Sequence, residues 1–96
     1  MNILDVLVTQ RKLKRSDVID SLIKSISNNE YIEPIDILQG VDGSLTCEEG
    51  HHRLAAYFLS GRTTLEEYEY NLLYADSYKP RFGSIKDLVD RTKINN

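Results

Sequence analysis

The hydrophobic positions between residues 18 and 26 repeat at the spacing of a helix. Apolar side chains fall on one face of the helical period, at Val18, Ile19, Leu22, Ile23 and Ile26. Ser16 precedes this stripe as a candidate N-cap, and Asp17 puts negative charge near the positive end of the helix dipole. The pattern predicts a helix over residues 17–28.

Two short apolar segments separated by a turn sequence predict a β-hairpin. Residues 34–38 alternate as a strand does, and residues 45–47 would return as the partner strand. Asp42-Gly43 lies between them, and glycine tolerates the positive φ that tight hairpin turns require. Residues 3–8 form another apolar segment, which we interpret as a first strand or a brief turn of helix.

The second half of the chain continues the alternation of strands and helices. Apolar positions between residues 54 and 59 predict a second amphipathic helix that begins at Gly50 and ends at Gly61. Residues 67–74 alternate Glu or Asn with Tyr or Leu, which predicts a strand with one polar face and tyrosines in the core or on the sheet surface. A third helix is predicted over residues 84–92, capped by Ser84.

The resulting order, β-α-β-β-α-β-α, predicts an α+β fold in which two or three helices pack on a small mixed sheet. A chain of 96 residues with 41% hydrophobic residues has room for one domain, which we expect to span residues 1–96. No apolar stretch approaches the roughly 20 residues of a membrane span, and we expect no membrane partner. A single cysteine, Cys47, cannot form an internal disulfide, so we expect a cytoplasmic protein.

The net charge of −3 is distributed unevenly. Residues 31–76 carry a net −7, whereas residues 1–30 carry +1 and residues 77–96 carry +3. The basic side chains of the flanking segments form two clusters, which are candidate nucleic-acid contacts or a solvated surface. Their members are Arg11, Lys12, Lys14 and Arg15 near the start, and Lys79 and Arg81 near the end.

The chemically most informative segment is the transition from the second hairpin strand into the second helix. Free backbone N–H groups and the positive end of the dipole collect at a helix start, which suits an anion. Gly50 lets a ligand approach the backbone closely because it has no side chain. His51, His52 and Arg53 add donors, and the planar guanidinium matches phosphate geometry. We therefore predict a phosphate-binding site at Gly50, His51, His52 and Arg53.

Two carboxylates precede this glycine. Glu48 and Glu49 are candidates to hold Mg²⁺ beside a bound triphosphate, since hard cations prefer carboxylate oxygens, and Glu49 is the residue we favour for the metal. The alternative is two solvated carboxylates at a strand end. The candidate catalytic residues are Glu48, Glu49 and His52.

The run Glu49-Gly50-His51-His52-Arg53-Leu54-Ala55-Ala56 resembles the signature of the ParB/sulfiredoxin-like superfamily. ParB proteins have Gly-Glu-Arg-Arg with an alanine three residues on, sulfiredoxins have Gly-Gly-Cys-His-Arg, and the free serine kinases have Asp-Gly-His-His-Arg. The last is the nearest of the three, with Glu49 in place of its aspartate. The resemblance extends over about residues 3–74.

The resemblance implies that Gly50, His52 and Arg53 contact the phosphates of a nucleotide. His51 stands where sulfiredoxins keep their catalytic cysteine, so we do not expect sulfinic acid reductase activity. No segment of these 96 residues resembles the ParB helix-turn-helix or dimerisation regions, so chromosome partition is not expected either.

Three functions therefore stand as hypotheses. The first is a nucleotide-binding ParB-like domain that uses Mg²⁺ with a nucleoside triphosphate, as an NTPase or phosphoryl-transfer enzyme. The second is a non-catalytic module, of the kind found in phages and mobile elements, that binds DNA or a protein partner through the basic clusters. The third is a ParB-like nuclease.

Overall fold

The computed structural model describes residues 1–93, and in this range it contains four strands and three helices in the predicted order. The strands are β1 (Val6–Leu7), β2 (Ile35–Gln39), β3 (Leu45–Glu49) and β4 (Tyr70–Tyr74). The helices are α1 (Ser16–Ser27), α2 (His51–Leu59) and α3 (Ile85–Lys93). Single 3-10 turns, Ile3–Asp5 and Glu67–Glu69, precede β1 and β4. Residues 94–96 of the predicted domain lie outside the described residues.

The strands form one mixed sheet in the order β1-β3-β2-β4, so the predicted α+β class is confirmed. β2 and β3 pair antiparallel, while β1 pairs parallel to β3 and β4 parallel to β2. The predicted hairpin turn is present at residues 40–44, where Gly43 has a φ of +84°. The Asp42 carboxylate accepts hydrogen bonds from the backbone N–H and the hydroxyl of Ser44, at 2.9 and 2.7 Å.

α2 packs against β2 of the sheet, α1 and α3 pack against α2, and the three helices supply much of the core. Buried apolar residues come from every helix, from the strands β1, β2 and β3, and from the turns and loops between these elements: Ile3, Val6, Val8, Leu13, Ile19, Ile35, Ile37, Cys47, Leu54, Ala55, Ala56, Tyr57, Leu65, Ile85, Leu88 and Val89. Because α2 follows β3 after one residue, its first turn lies directly beside the end of a buried strand. Within residues 1–93, no helix has the length and apolar character needed to cross a bilayer.

The beginning and the end of the described chain pack against each other. The backbone N–H of Val8 donates to the carbonyl of Gly83 at 2.8 Å, and that of Phe82 donates to the carbonyl of Val8 at 2.9 Å. The N–H of Leu13 donates to the hydroxyl of Thr92 at 3.1 Å. These bonds bring the loop before α1 next to α3 and the segment that precedes it.

Two local predictions are wrong. Ser16 is not the N-cap of α1 but its first helical residue, since Arg15 takes the cap position without a capping side chain. The strand predicted over residues 67–74 begins only at Tyr70, because Glu66 and Glu69 close a capping box around a 3-10 turn. Glu69 is consequently only 6% exposed, whereas Tyr68 is 78% exposed, the reverse of the predicted polar and apolar faces.

Candidate functional site

Gly50 joins β3 to α2 in a conformation that favours glycine. Its φ of +106° and ψ of +32° lie in the left-handed region, and its carbonyl accepts the first helical hydrogen bond, from Leu54, at 2.9 Å. A β-carbon at this position would lie 3.1 Å from the Nε, Cζ and Nη2 atoms of Arg53. Gly50 is the N-cap of α2, one residue before the first helical residue, His51, and its absent side chain makes room for the guanidinium.

A cleft of about 310 Å³ opens at this helix start. Its walls come from the loop before α1, one face of α1 and the β3–α2 junction: Gln10, Val18, Leu22, Glu48, Glu49, Gly50, His51, His52 and Arg53. All the residues predicted for phosphate and metal therefore line one cleft. Ligand sites in proteins are concave and contain a few convergent polar groups. This cleft is concave, and its lining residues are mostly polar, with Val18 and Leu22 as the apolar side chains.

His51 is held by the fold. Its side chain is 3% exposed, and its Nε2 atom accepts a hydrogen bond from the backbone N–H of Thr9 at 3.0 Å. The ring is therefore neutral with its proton on Nδ1. Burial, with a smaller effect from the positive charge of Lys79, lowers the pKa of His51 to about 4. Because the ring is almost completely buried and fixed by Thr9, the phosphate contact predicted for the His51 side chain gains no support from the structure.

His52 differs from its neighbour because its Nε2 atom is buried and has no hydrogen-bond partner within residues 1–93. Burial lowers the pKa of His52, and the nearby positive charge of Arg15 lowers it further. A buried polar nitrogen without a partner costs free energy, so such groups are expected to find a ligand or water. His52 is thus the side chain of the cleft with an unmet hydrogen bond.

Arg53 is anchored at one end of its guanidinium. Nη1 donates to the backbone carbonyls of Glu33 at 3.0 Å and Pro34 at 2.8 Å, which ties α2 to the chain entering β2. Within the described residues, Nε and Nη2 make no hydrogen bond, and they lie over Gly50. Nη1 of Arg53 therefore has a structural role, whereas its Nε and Nη2 atoms are left as donors at the start of α2.

The two carboxylates of the cleft have different surroundings. Glu48 forms an ion pair with Lys79, with Oε1 and Nζ 3.0 Å apart, whereas Glu49 is exposed and forms no ion pair within residues 1–93. In this part of the chain, no three His, Cys, Asp or Glu side chains are grouped so that they could hold a metal ion by themselves. Glu49 remains as a single carboxylate for Mg²⁺, which commonly takes one or two carboxylates and completes its shell with phosphates and water.

The segments that carry the two basic clusters meet where Arg11 contacts Phe82, but several of the clustered cations are engaged within the chain. The Arg11 guanidinium lies 5.0 Å from the centre of the Phe82 ring, Arg15 pairs with Asp17, and Lys79 pairs with Glu48.

The remaining candidate cations, Lys12, Lys14 and Arg81, are exposed and form no ion pair within the described chain. The pKa of Asp42 is lowered mainly by hydrogen bonds from Ser44 and to a smaller extent by the charge of Arg81, which puts Arg81 near the hairpin turn.

Cys47 is fully buried on β3, and burial raises the pKa of its thiol to about 12. The thiolate needed for redox chemistry is therefore disfavoured.

Two parts of the site were not predicted from the sequence. Gln10 lines the cleft and Thr9 holds His51, although both lie about forty positions before the glycine. The structural cause is the parallel pairing of β1 with β3, which sets the end of β1 beside the end of β3. That pairing follows from topology rather than from any local pattern.

Comparison of the chain with models of known protein families, with curated proteins and with solved structures returned no match.

Proposed function

We propose that this chain is a nucleotide-binding domain of the ParB/sulfiredoxin type, which holds the phosphates of a nucleoside triphosphate in the cleft at the start of α2. The observation that carries the proposal is the buried, unpartnered Nε2 atom of His52 in a cleft formed around a helix N-terminus. The signature-like run from Glu49 to Ala56 and the arrangement of strands and helices support it.

Each donor has a defined role in this proposal. The first backbone N–H groups of α2 have no acceptor within the helix, so they are available to phosphate oxygens. Nε and Nη2 of Arg53 give a charged pair of donors beside Gly50, and His52 donates from its ring. Gln10, from the loop before α1, also lines the cleft and carries a polar amide side chain.

Mg²⁺ has a specific role because the cleft also contains negative charge. Glu48 is neutralised by Lys79, but Glu49 would repel a triphosphate that approached without a cation. A divalent ion bound between Glu49 and the phosphate oxygens would remove this repulsion. The proposed cofactor is therefore Mg²⁺ bound together with the nucleotide.

Calorimetric titration with ATP and CTP, each with and without Mg²⁺, tests the proposal. We expect binding that Mg²⁺ strengthens, and we expect His52→Ala to weaken it about fivefold, the effect of one lost hydrogen bond of about 1 kcal/mol. Lys86→Ala is the matched control, because Lys86 is an exposed cation paired with Asp90 and does not line the cleft. The absence of binding at millimolar nucleotide would contradict the proposal.

Variants of Glu48 and Glu49 distinguish the proposed Mg²⁺ ligand from the carboxylate that pairs with Lys79. Glu49→Gln should remove most of the Mg²⁺ enhancement, since it deletes the proposed metal ligand. Glu48→Gln should keep that enhancement and tighten binding, since it frees Lys79 for the phosphates. The reverse pattern would assign the metal to Glu48.

Hydrolysis or phosphoryl transfer is the catalytic extension of the same proposal. Glu49, which is exposed and forms no ion pair within residues 1–93, is the side chain of the cleft that can accept a proton from an attacking water, while His52 donates to the phosphates. Phosphate released from each nucleotide, compared between the native chain and Glu49→Gln, measures this activity directly. The nuclease hypothesis has less support, because one free carboxylate is fewer than the metal clusters that nucleases use.

DNA binding is the second candidate, favoured by one observation. The side chain of Arg91 donates to the backbone carbonyl of Arg11 at 2.7 Å, which joins the two basic segments into one surface with Lys12 and Lys14 exposed. Retardation of a DNA duplex that weakens steeply with salt, and that Lys12→Ala with Lys14→Ala reduces, would support it. A DNA affinity that does not change with salt concentration would contradict DNA binding and would favour a protein partner for this module.

A further inference from the structure

A second cleft, of about 370 Å³, lies at the other end of α1 and α2 and takes no part in the phosphate site. Its walls come from the end of α1, the loop that follows, the last turns of α2 and the 3-10 turn before β4. It shares no lining residue with the cleft at Gly50. We refer to it as the tyrosine cleft.

Three tyrosines line this cleft, and two of them are exposed to an unusual degree. Tyr31 is 85% exposed and Tyr68 is 78% exposed, whereas Tyr57 is buried in the wall. Exposed aromatic rings beside a concavity are typical of binding sites, because a large ring brings contact area at a small entropic cost. The face of each ring is also electronegative and attracts cations.

The charges around the tyrosine cleft determine the sign of a suitable ligand. Arg62 and Glu69 form a two-bonded ion pair within the wall, with Nη1 3.1 Å from Oε2, so their charges cancel. Glu30 lines the cleft, and Glu66 and Glu67 adjoin it in the chain. These three carboxylates are exposed and form no ion pair within residues 1–93.

This excess of negative charge disfavours nucleic acid, although exposed tyrosines alone would suit base stacking. A phosphate backbone would meet carboxylates without counter-ions, whereas a guanidinium would stack on the tyrosines and pair with Glu30. The tyrosine cleft also differs chemically from the cleft at Gly50, which contains hydrogen-bond donors and the unpartnered Nε2 atom of His52.

We propose that the tyrosine cleft binds an arginine side chain presented by a basic segment of a partner protein. Tyr31 and Tyr68 contact the planar guanidinium, and the exposed carboxylates around the cleft supply its counter-charge. This goes beyond the proposed nucleotide site and does not depend on it.

Titration of the ¹⁵N-labelled chain with a capped hexa-arginine peptide, followed by amide NMR shifts, tests this proposal. We expect saturable shifts confined to residues 29–32, the end of α2 and residues 66–69. A hexa-citrulline peptide of the same shape but without charge should cause none. The double variant Tyr31→Ala with Tyr68→Ala should weaken binding roughly tenfold, as the loss of two ring–cation contacts implies.

Tyr78→Ala is the matched control, because Tyr78 is 99% exposed and lies outside the cleft. Both tyrosines of the test variant are surface side chains, and an unchanged spectrum elsewhere verifies its fold. Binding of native strength by the double variant would overturn the proposal, as would shifts spread over all acidic residues. Self-association of the chain that depends on Tyr31 and Tyr68 would also overturn it, by making a second copy the occupant.

Discussion

His51 and His52 are neighbours in α2 but differ in their hydrogen bonding, because Thr9, which is distant in the sequence, binds only His51. His51 is turned into the fold by the backbone of Thr9, while His52 keeps a buried nitrogen without a partner. The sequence predicted the glycine and the donors after it, because a helix start has a local signature. The sequence could not show which histidine is held within the fold and which keeps a nitrogen for a ligand. Adjacent helical positions point about 100° apart, and the tertiary fold determines what each of them meets.

Gly50→Ala tests the role of the positive φ and of the contact with Arg53. We expect the free energy of unfolding to fall by about 1–3 kcal/mol, and nucleotide binding to weaken. Gly43→Ala is the control, since Gly43 also has a positive φ but an added β-carbon would meet no atom within 4 Å. Urea denaturation followed by circular dichroism measures both variants, and equal losses would show that the Arg53 contact has no effect.

The stability of the chain should depend on His51 between pH 6.5 and about 4. Its folded pKa is lowered from 6.5, so the unfolded chain binds more protons in this window and stability falls as pH falls. Between pH 7.5 and pH 5 we expect a loss of about 1–2 kcal/mol from this group.

Urea denaturation of His51→Gln and His52→Gln at these two pH values measures that contribution. His51→Gln should flatten the pH dependence more than His52→Gln does. An unchanged pH dependence in His51→Gln would show that burial of His51 does not perturb its titration.

At the scale of elements, the prediction succeeded where local patterning and tertiary packing agree. The apolar stripe of α1, the hairpin and Gly61 at the end of α2 all follow from local rules, and Gly61 has the expected positive φ of +87°. It failed at residues 67–69, where alternation indicated strand. There Arg62 binds Glu69 across the chain and fixes a 3-10 turn, an interaction that periodicity does not reveal.

Arg62→Met tests how strongly this pair fixes the turn. Burial opposes ionisation of Glu69, but hydrogen bonds from Arg62 and the N–H of Glu66 outweigh it and lower the pKa of Glu69. Removing Arg62 leaves a buried carboxylate without its partner, so we expect a loss of about 2 kcal/mol, reduced from the fully buried case because Arg62 is partly exposed. Arg15→Met, which breaks the exposed pair with Asp17, should leave thermal stability nearly unchanged.

In the whole molecule, the basic segments and the exposed carboxylates lie in different places. The basic ends of the described chain meet through the pairing of Val8 with Phe82 and Gly83. The tyrosine cleft is instead lined by Glu30 and adjoined by Glu66 and Glu67, of which the last two belong to the acidic middle. The radius of gyration, 12.7 Å, is that of a compact chain of this length. Two clefts of opposite chemical character thus share one small α+β scaffold, and the sequence alone indicated only the first of them.

The most direct test of the account uses the only two histidines of the chain as an internal comparison. With ¹³C-labelled histidine, the ring signals of His51 and His52 are followed by NMR during titration with inorganic triphosphate and Mg²⁺. We predict a saturable shift and a raised pKa for His52, because phosphate would accept its hydrogen bond, with no change at His51. An unchanged His52 signal at millimolar triphosphate, or equal shifts of both rings that chloride reproduces, would contradict the proposed phosphate site.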